Sequence, residues 1–427
     1  RGFASPVMTH DRQPLAGRQA GHQPLASAPK CWGTAASLPR GRLGTRWGCG
    51  WVWLLAAVAL ATDGPGLKPP AERVPLIIAH RGSPATMPEE TMEGYLVAME
   101  AGADFIELDV CATSDGALVV RHDVFLDLTT DVEVVFPGRN ATRMMPDGQV
   151  LQDRHFVADF TLAEVKRLGA RQALPFRDQS LNDRRFQVPT LDEVLAAAAS
   201  YSRSAGRRVG VYVETKRPAY HRSRGLALEG AVLEALARHG YGGGGDTFVQ
   251  SFDTESLKAM KEGGSLANMV RLLTLAECEG PGAMGPAALD ELRKLASGVG
   301  PDIRCVAPVV PAAECGSEEE LCMGRLRDGP GAQSGIVQLY HAHGFLVHPY
   351  TIRNEGRYMP LDFSADPFVE LESLLGGIGV DGVFVDNPAT AMRWLNATCA
   401  QCDAGGRSSC PGRDSSATQC LSNGQCG

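Results

Sequence analysis

A chain of 427 residues with a formal net charge of −8 is long enough to bury the core of one large domain and still carry appendages. Its acidic balance excludes the basic footprint of a nucleic-acid-binding protein. Of its twelve cysteines, Cys399, Cys402, Cys410, Cys420 and Cys426 crowd the last thirty or so residues, which predicts a disulfide-bonded tail in an oxidising compartment.

Residues 1–73 read as a leader. Positions 1–46 are rich in Arg, Gly, Pro and Ser without periodicity, and the start at Arg1 reads as a fragment or an upstream-extended translation. The apolar run Trp51 to Ala61, about a dozen residues, is too short to cross a bilayer comfortably. With Arg46 before it and Ala59-Leu60-Ala61 at its end, it predicts a secretory signal peptide cleaved after Ala61. A signal anchor or an organelle transit peptide is the alternative. Asn-x-Thr sequons at Asn140 and Asn396 agree with a secreted or cell-surface protein, with no membrane span in the mature chain.

After a Pro-containing linker, residues 74–395 alternate between strand and helix patterns. Strands are predicted at 76–79, 105–110, 117–121, 209–215, 247–252, 269–274, 346–350 and 382–385. Helical spacing covers 89–101, 191–201, 226–239, 254–261, 288–297, 335–343 and 367–375. Asp115-Gly116 marks a tight turn, and Thr190 with Glu193 forms a capping box. The stretch from about 124 to 187 is too long for an ordinary connection and reads as a subdomain inserted after the third strand, with a short helix at 162–168. Eight strand candidates alternating with helices fit a (β/α)8 TIM barrel or a doubly wound sheet. Beyond Leu395 the alternation stops, and residues 396–427 form the Cys-rich tail.

The chemistry-bearing residues gather at strand ends. Strand side chains alternate with period two, so Glu107 and Asp109 share a face and repel unless a cation lies between them. Oxygen-only ligands suit Ca²⁺ or Mg²⁺. A Glu-x-Asp pair is ordinarily a solvated face, but a strand covered on both sides leaves no such face. His80 and His122 fall at C-terminal strand ends, where barrels and open parallel sheets place their chemistry. Glu214 and Lys216 share a face by the same rule, as metal ligand and anion holder or as a plain ion pair.

Read in order, these segments resemble the glycerophosphodiester phosphodiesterase family. The likeness rests on His80-Arg81-Gly82, Pro88-Glu89-Glu90-Thr91, Glu107-x-Asp109, His122-Asp123 and Val211-Tyr212-Val213-Glu214-Thr215-Lys216-x-Pro218. It continues through Gln250-Ser251-Phe252-Asp253, His348-Pro349-Tyr350-Thr351-x-Arg353 and Gly382-Val383-Phe384-Val385-Asp386. The resemblance decides for the barrel and covers about residues 76 to 395. It implies metal-dependent hydrolysis of small glycerophosphodiesters such as glycerophosphocholine to sn-glycerol 3-phosphate and an alcohol. It makes His80 and His122 the acid–base pair and Glu107, Asp109 and Glu214 the metal ligands, with Arg81 and Lys216 on the phosphate. His348, Tyr350 and Arg353 are expected to line the substrate pocket, with Glu89 supporting the site and Asp386 behind it or capping a loop. Likeness to the periplasmic and plant-type branch implies Ca²⁺, with Mg²⁺ as the alternative. Glu90 stands where many members have Asn. Rival readings are a phospholipase-D-like enzyme acting on intact phospholipids and a catalytically silent cell-surface module. For the tail, binding to wall or matrix is the open role.

Overall fold

The computed structural model describes residues 74–278, 283–315, 323–329 and 335–405. The signal-like segment and most of the Cys-rich tail lie outside them. Thirteen strands occur among these residues. In chain order they are β1 (Leu76–Ala79), β2 (Phe105–Ala112), β3 (Leu118–Val120), β4 (Ala141–Met144), β5 (Val150–Arg154), β6 (Gly210–Thr215) and β7 (Gly243–Ser251). There follow β8 (Leu266–Leu273), β9 (Gly298–Pro301), β10 (Val309–Val310), β11 (Arg325–Leu326), β12 (Leu346–Val347) and β13 (Gly382–Val385).

Eight of these run parallel in the order β12-β9-β8-β7-β6-β2-β1-β13. Backbone bonds from Asp381 N to Val347 O (3.0 Å) and from Phe384 N to Pro349 O (3.2 Å) bridge the two ends, and the sheet curls into a (β/α)8 barrel. Two apolar layers hold it together. Ile77, Ile106, Val211 and Val383 point outward against helices such as Met92–Glu100 and Leu191–Ala205. Ile78, Phe105, Tyr212, Phe248, Val270, Leu346 and Phe384 fill the lumen. The Thr190–Glu193 capping box is present, and its helix runs four residues past the expected end to Ala205, where Gly206 caps it in the left-handed region at φ 63°.

The predicted strand count holds, but its membership changes. The segment predicted at 117–121 is β3, which folds back antiparallel on β2 (Val110 opposite Val120) and lies off the barrel. Its barrel place belongs to β9, Gly298-Val299-Gly300-Pro301, which has no apolar periodicity to reveal it. Neighbouring side chains supply the bulk there: a Cβ on Gly300 would meet Leu272 Cδ2 at 2.7 Å.

The insertion after β3 has its own apolar core around Leu126, Val132, Phe156 and Phe160. It contains the antiparallel β4–β5 hairpin and a short helix, Leu162–Val165, with its own capping box from Thr161 and Glu164. A disulfide joins Cys278, just after β8, to Cys305, just after β9.

Candidate active site

Parallel register puts Asp109 beside Glu214 and Glu214 beside Gln250, so three polar side chains share one level of the lumen wall. One level below, Tyr212 stacks on Phe248 with ring centroids 4.7 Å apart. The carboxylates therefore stand on an aromatic floor. Glu107, Asp109 and Glu214 are all buried.

β1 delivers His80, Arg81 and Gly82 at its C-terminal end. Gly82 has φ +90°, and a Cβ there would meet the backbone of Gly94 at 2.8 Å, so glycine is needed where the turn touches the helix that follows. His80 Nδ1 hydrogen-bonds Asp386 Oδ1 at 2.7 Å. The other Asp386 oxygen accepts from Arg177 Nη2 (2.6 Å) and Arg353 Nε (3.1 Å). Arg177 comes from the insertion and also donates to Glu355 at 2.6 Å. Burial would raise the Asp386 carboxyl, but His80 and the two arginines hold it well below the usual range. Because an ionised carboxylate can only accept, Nδ1 of His80 carries the proton and Nε2 is left as the basic nitrogen. Burial, then Arg81, lowers the His80 pKa to about 4.

His122, half-buried after β3, repeats the arrangement with Asp123 Oδ1 at 2.9 Å. Burial, then Arg81 and Lys216, pushes its pKa down as well.

Between the histidines lies a crowded set of charges. Arg81 donates its backbone N–H to Glu107 (2.9 Å) and Nη1 to Glu89 (3.0 Å), and its Nε lies 3.2 Å from Asp109. Lys216 Nζ lies 2.7 Å from Glu214 and 3.4 Å from Asp109. Neither Asp109 oxygen accepts a hydrogen bond, although the residue is buried. Burial opposes ionisation of Asp109, yet Lys216, His122 and Arg81 hold its pKa well below normal. Glu107 is pushed up by burial, then by Asp109 and Glu214. Glu214 is pushed up by burial and by Asp109, against Lys216.

Sequence reasoning gave Glu90 no role, yet Glu90, Glu107 and Asp109 offer oxygens within 4.8 Å of one another. Glu90 is fully buried, accepts the Asp109 backbone N–H at 3.1 Å and binds the Tyr95 hydroxyl. Burial, then Asp109 and Glu107, raises its pKa well above normal. Buried Arg121 steadies this turn by donating to the carbonyls of Glu89 (3.3 Å) and Glu90 (3.4 Å).

His80, Arg81, Glu107, His122, Glu214, Lys216, Tyr350 and Arg353 line one cavity of about 400 Å³, and Asp109 lies just beneath it. His348 does not join them. It is fully buried in the lumen, where Nδ1 meets the Tyr212 hydroxyl at 3.1 Å and its ring packs on Phe248. The expectation that it lines the pocket is corrected: Tyr350 and Arg353 extend past β12 to the mouth, while His348 points into the floor. His155 is likewise buried in the insertion, tied to Asp127 at 2.8 Å.

A parallel barrel whose mouth carries two imidazoles, two buried cations and a carboxylate cluster has the layout of a barrel enzyme with its chemistry at the C-terminal strand ends. The model of the glycerophosphoryl diester phosphodiesterase family matches residues 80–390, and the chain belongs to that family. It is accordingly a phosphoric diester hydrolase. The Arabidopsis thaliana glycerophosphodiester phosphodiesterase GDPD6 is 34% identical over 338 residues, covering 75% of this chain and 85% of that protein. The Haemophilus influenzae glycerophosphodiester phosphodiesterase is 29% identical over 75% of this chain and 89% of its own. A crystal structure from Silicibacter pomeroyi, classed with the glycerophosphoryl diester phosphodiesterases, superposes with a TM-score of 0.53 at 23% identity, over 75% of this chain and 93% of that one. This last likeness speaks for the fold.

Proposed function

We propose that the chain hydrolyses glycerophosphodiesters such as glycerophosphocholine to sn-glycerol 3-phosphate and an alcohol, with His80 and His122 as the acid–base pair. The observation that carries this reading is that both imidazoles line one cavity and each has its Nδ1 tied to a carboxylate. That tie fixes the ring and leaves Nε2 of each for proton transfer. One imidazole, bare at Nε2, takes the proton of the attacking water, and the other, protonated at Nε2 in the reacting complex, gives that proton to the departing alcohol oxygen. Arg81 and Lys216 supply the positive charge that holds the phosphate against them.

The donor set also fits a hard divalent cation. Acids outnumber bases among the buried groups here, Asp109 has two oxygens without hydrogen bonds, and burial has raised Glu107 and Glu214. Glu107, Asp109 and Glu214 would hold the ion, with Glu90 bracing Asp109 from behind. Such an ion, Ca²⁺ in preference to Mg²⁺, would neutralise charge on the phosphate oxygens. The test is glycerol 3-phosphate release from glycerophosphocholine by the full chain, with EDTA and then with either ion restored. EDTA-sensitive release recovered by Ca²⁺ is expected. Release that ignores EDTA would remove the metal from the reading, and no release with either ion would remove the substrate.

A secreted or cell-surface location is part of the same proposal. It is supported by the Trp51 to Ala61 segment, the exposed sequon residues Asn140 and Asn396 and the Cys278–Cys305 disulfide. Glycosidase-sensitive mobility of the exported protein would support it, and retention of an unglycosylated chain in the cytosol would not.

A further inference from the structure

The cavity that holds the two histidines opens into a second hollow. This groove, about 860 Å³, shares His122, Glu214, Lys216 and Phe252 with the first cavity. The charged centre therefore sits where two hollows meet, and a phosphodiester has two arms meeting at phosphorus.

The two hollows differ in character. The smaller is mixed: beyond the catalytic residues, Asp302, Arg304, Thr351 and Arg353, groups that suit the hydroxyls of glycerol, share its wall with Leu272, Ile303 and Met323. The larger runs between the insertion, which supplies Val124, Phe125 and Leu151, and the start of the helix after β6, which supplies Pro218, Ala219 and Tyr220. The charges along it are already paired. Asp147 binds Arg217, Asp253 binds Arg222 at 2.7 Å, and Glu255 binds Lys258 at 2.7 Å. Between these pairs the groove offers a broad apolar surface to cover.

We propose that the wide groove receives the leaving alcohol of the diester, and that the alcohol it fits best carries an apolar portion several carbons long. This rests on the hydrolytic reading above. The glycerol phosphate arm occupies the smaller cavity, because its hydroxyls find those polar groups there and fewer partners in the groove. In the reaction a water oxygen bonds to phosphorus and the bond from phosphorus to the groove-held oxygen breaks. The acid imidazole gives that oxygen one proton, the base imidazole takes one of the water's two protons, the other stays on the new phosphate hydroxyl, and glycerol phosphate stays behind.

The experiment compares kcat/KM of the full chain on the methyl, butyl and octyl esters of sn-glycerol 3-phosphate. A groove that buries the chain raises kcat/KM by up to about fourfold per methylene, so the octyl ester should exceed the methyl ester by roughly tenfold or more. Ala219→Trp, which fills the groove from the helix without removing a core side chain, should flatten the series while leaving the methyl ester within about twofold. Leu151→Asp, which puts a charge in the same wall, should do the same from the insertion side. On the wild type, 1-octanol should inhibit methyl ester hydrolysis where methanol at the same concentration does not. A flat wild-type series with normal methyl ester turnover overturns the groove assignment alone, as does a slope that survives both substitutions. Failure to hydrolyse any of the esters overturns the hydrolytic reading on which it rests.

Discussion

Two levels of the same barrel lumen, two residues apart along β6 and β7, obey opposite rules. At the lower level Tyr212 stacks on Phe248, Phe105 and Phe384 meet Tyr212 edge-on, and His348 closes the ring. At the upper level the same strands present Glu214 and Gln250, beside Asp109 on β2. The floor buries surface that water rejects and so favours folding. The mouth buries charge that water would rather keep, and three of its carboxylates are pushed toward their neutral forms. The contrast separates stability from chemistry within one cross-section, and both halves can be tested.

The sharpest break is expected from substitutions at the mouth. His80→Ala should lower kcat by about a thousandfold, within the range general acid–base groups supply, with the thermal midpoint nearly unchanged. Glu107→Gln should also remove most activity, yet it should raise the midpoint, because it takes charge out of a site overcrowded with carboxylates. A lowered midpoint would mean that the cluster holds the fold together after all. At the floor, Tyr212→Ala should cost about 3–5 kcal/mol in urea denaturation, while turnover per folded molecule stays close to wild type.

Glu370 sharpens the comparison from outside the lumen. It is a buried carboxylate whose Oε2 has no partner, and burial raises its pKa to about 8. The unfolded chain ionises near the ordinary value of 4.5, so between there and about 8 the folded state holds a proton that the unfolded state has lost. Stability should therefore fall as pH rises through that window and level off above it. Glu370→Gln should remove this slope and stabilise the protein at pH 8 by about 4 kcal/mol. Equal denaturation midpoints for wild type and variant at pH 5 and pH 8 would contradict it. The smallest effect belongs to a site with neither burial strain nor chemistry. Thr190→Ala removes the helix cap and should cost about 1 kcal/mol, with no change in kcat.

Much of the mouth was legible because catalytic side chains follow strand ends and period two sorts their faces. The shared faces of Glu107 with Asp109 and of Glu214 with Lys216 needed no more than that. The barrel was harder. β9 is Gly-Val-Gly-Pro, and its identity comes from the Leu272 and Leu346 side chains that lie over its glycines. β3 has a proper strand pattern, yet the tight turn at Asp115-Gly116 brings it back antiparallel, which counting strands does not reveal. His348 sits on the alternation of its strand as well as Tyr350 does, but it lies two residues deeper and the depth of the mouth is a property of the closed barrel. Glu90 and Arg177 sit in segments without periodicity, and their roles are set by partners 19 and 209 residues away.

That last distance has a consequence for how the chain can be cut and rejoined. Arg177 belongs to the insertion, yet its guanidinium clamps the carboxylate that orients His80 and is itself held by Glu355. The insertion therefore cannot be treated as a cassette that plugs into a self-sufficient barrel. A deletion of it that spares every residue lining the smaller cavity still removes one of the two arginines that hold Asp386, and a graft of it onto another barrel has to carry Arg177 and Glu355 together. The unit of inheritance for this site is the latch with both its ends.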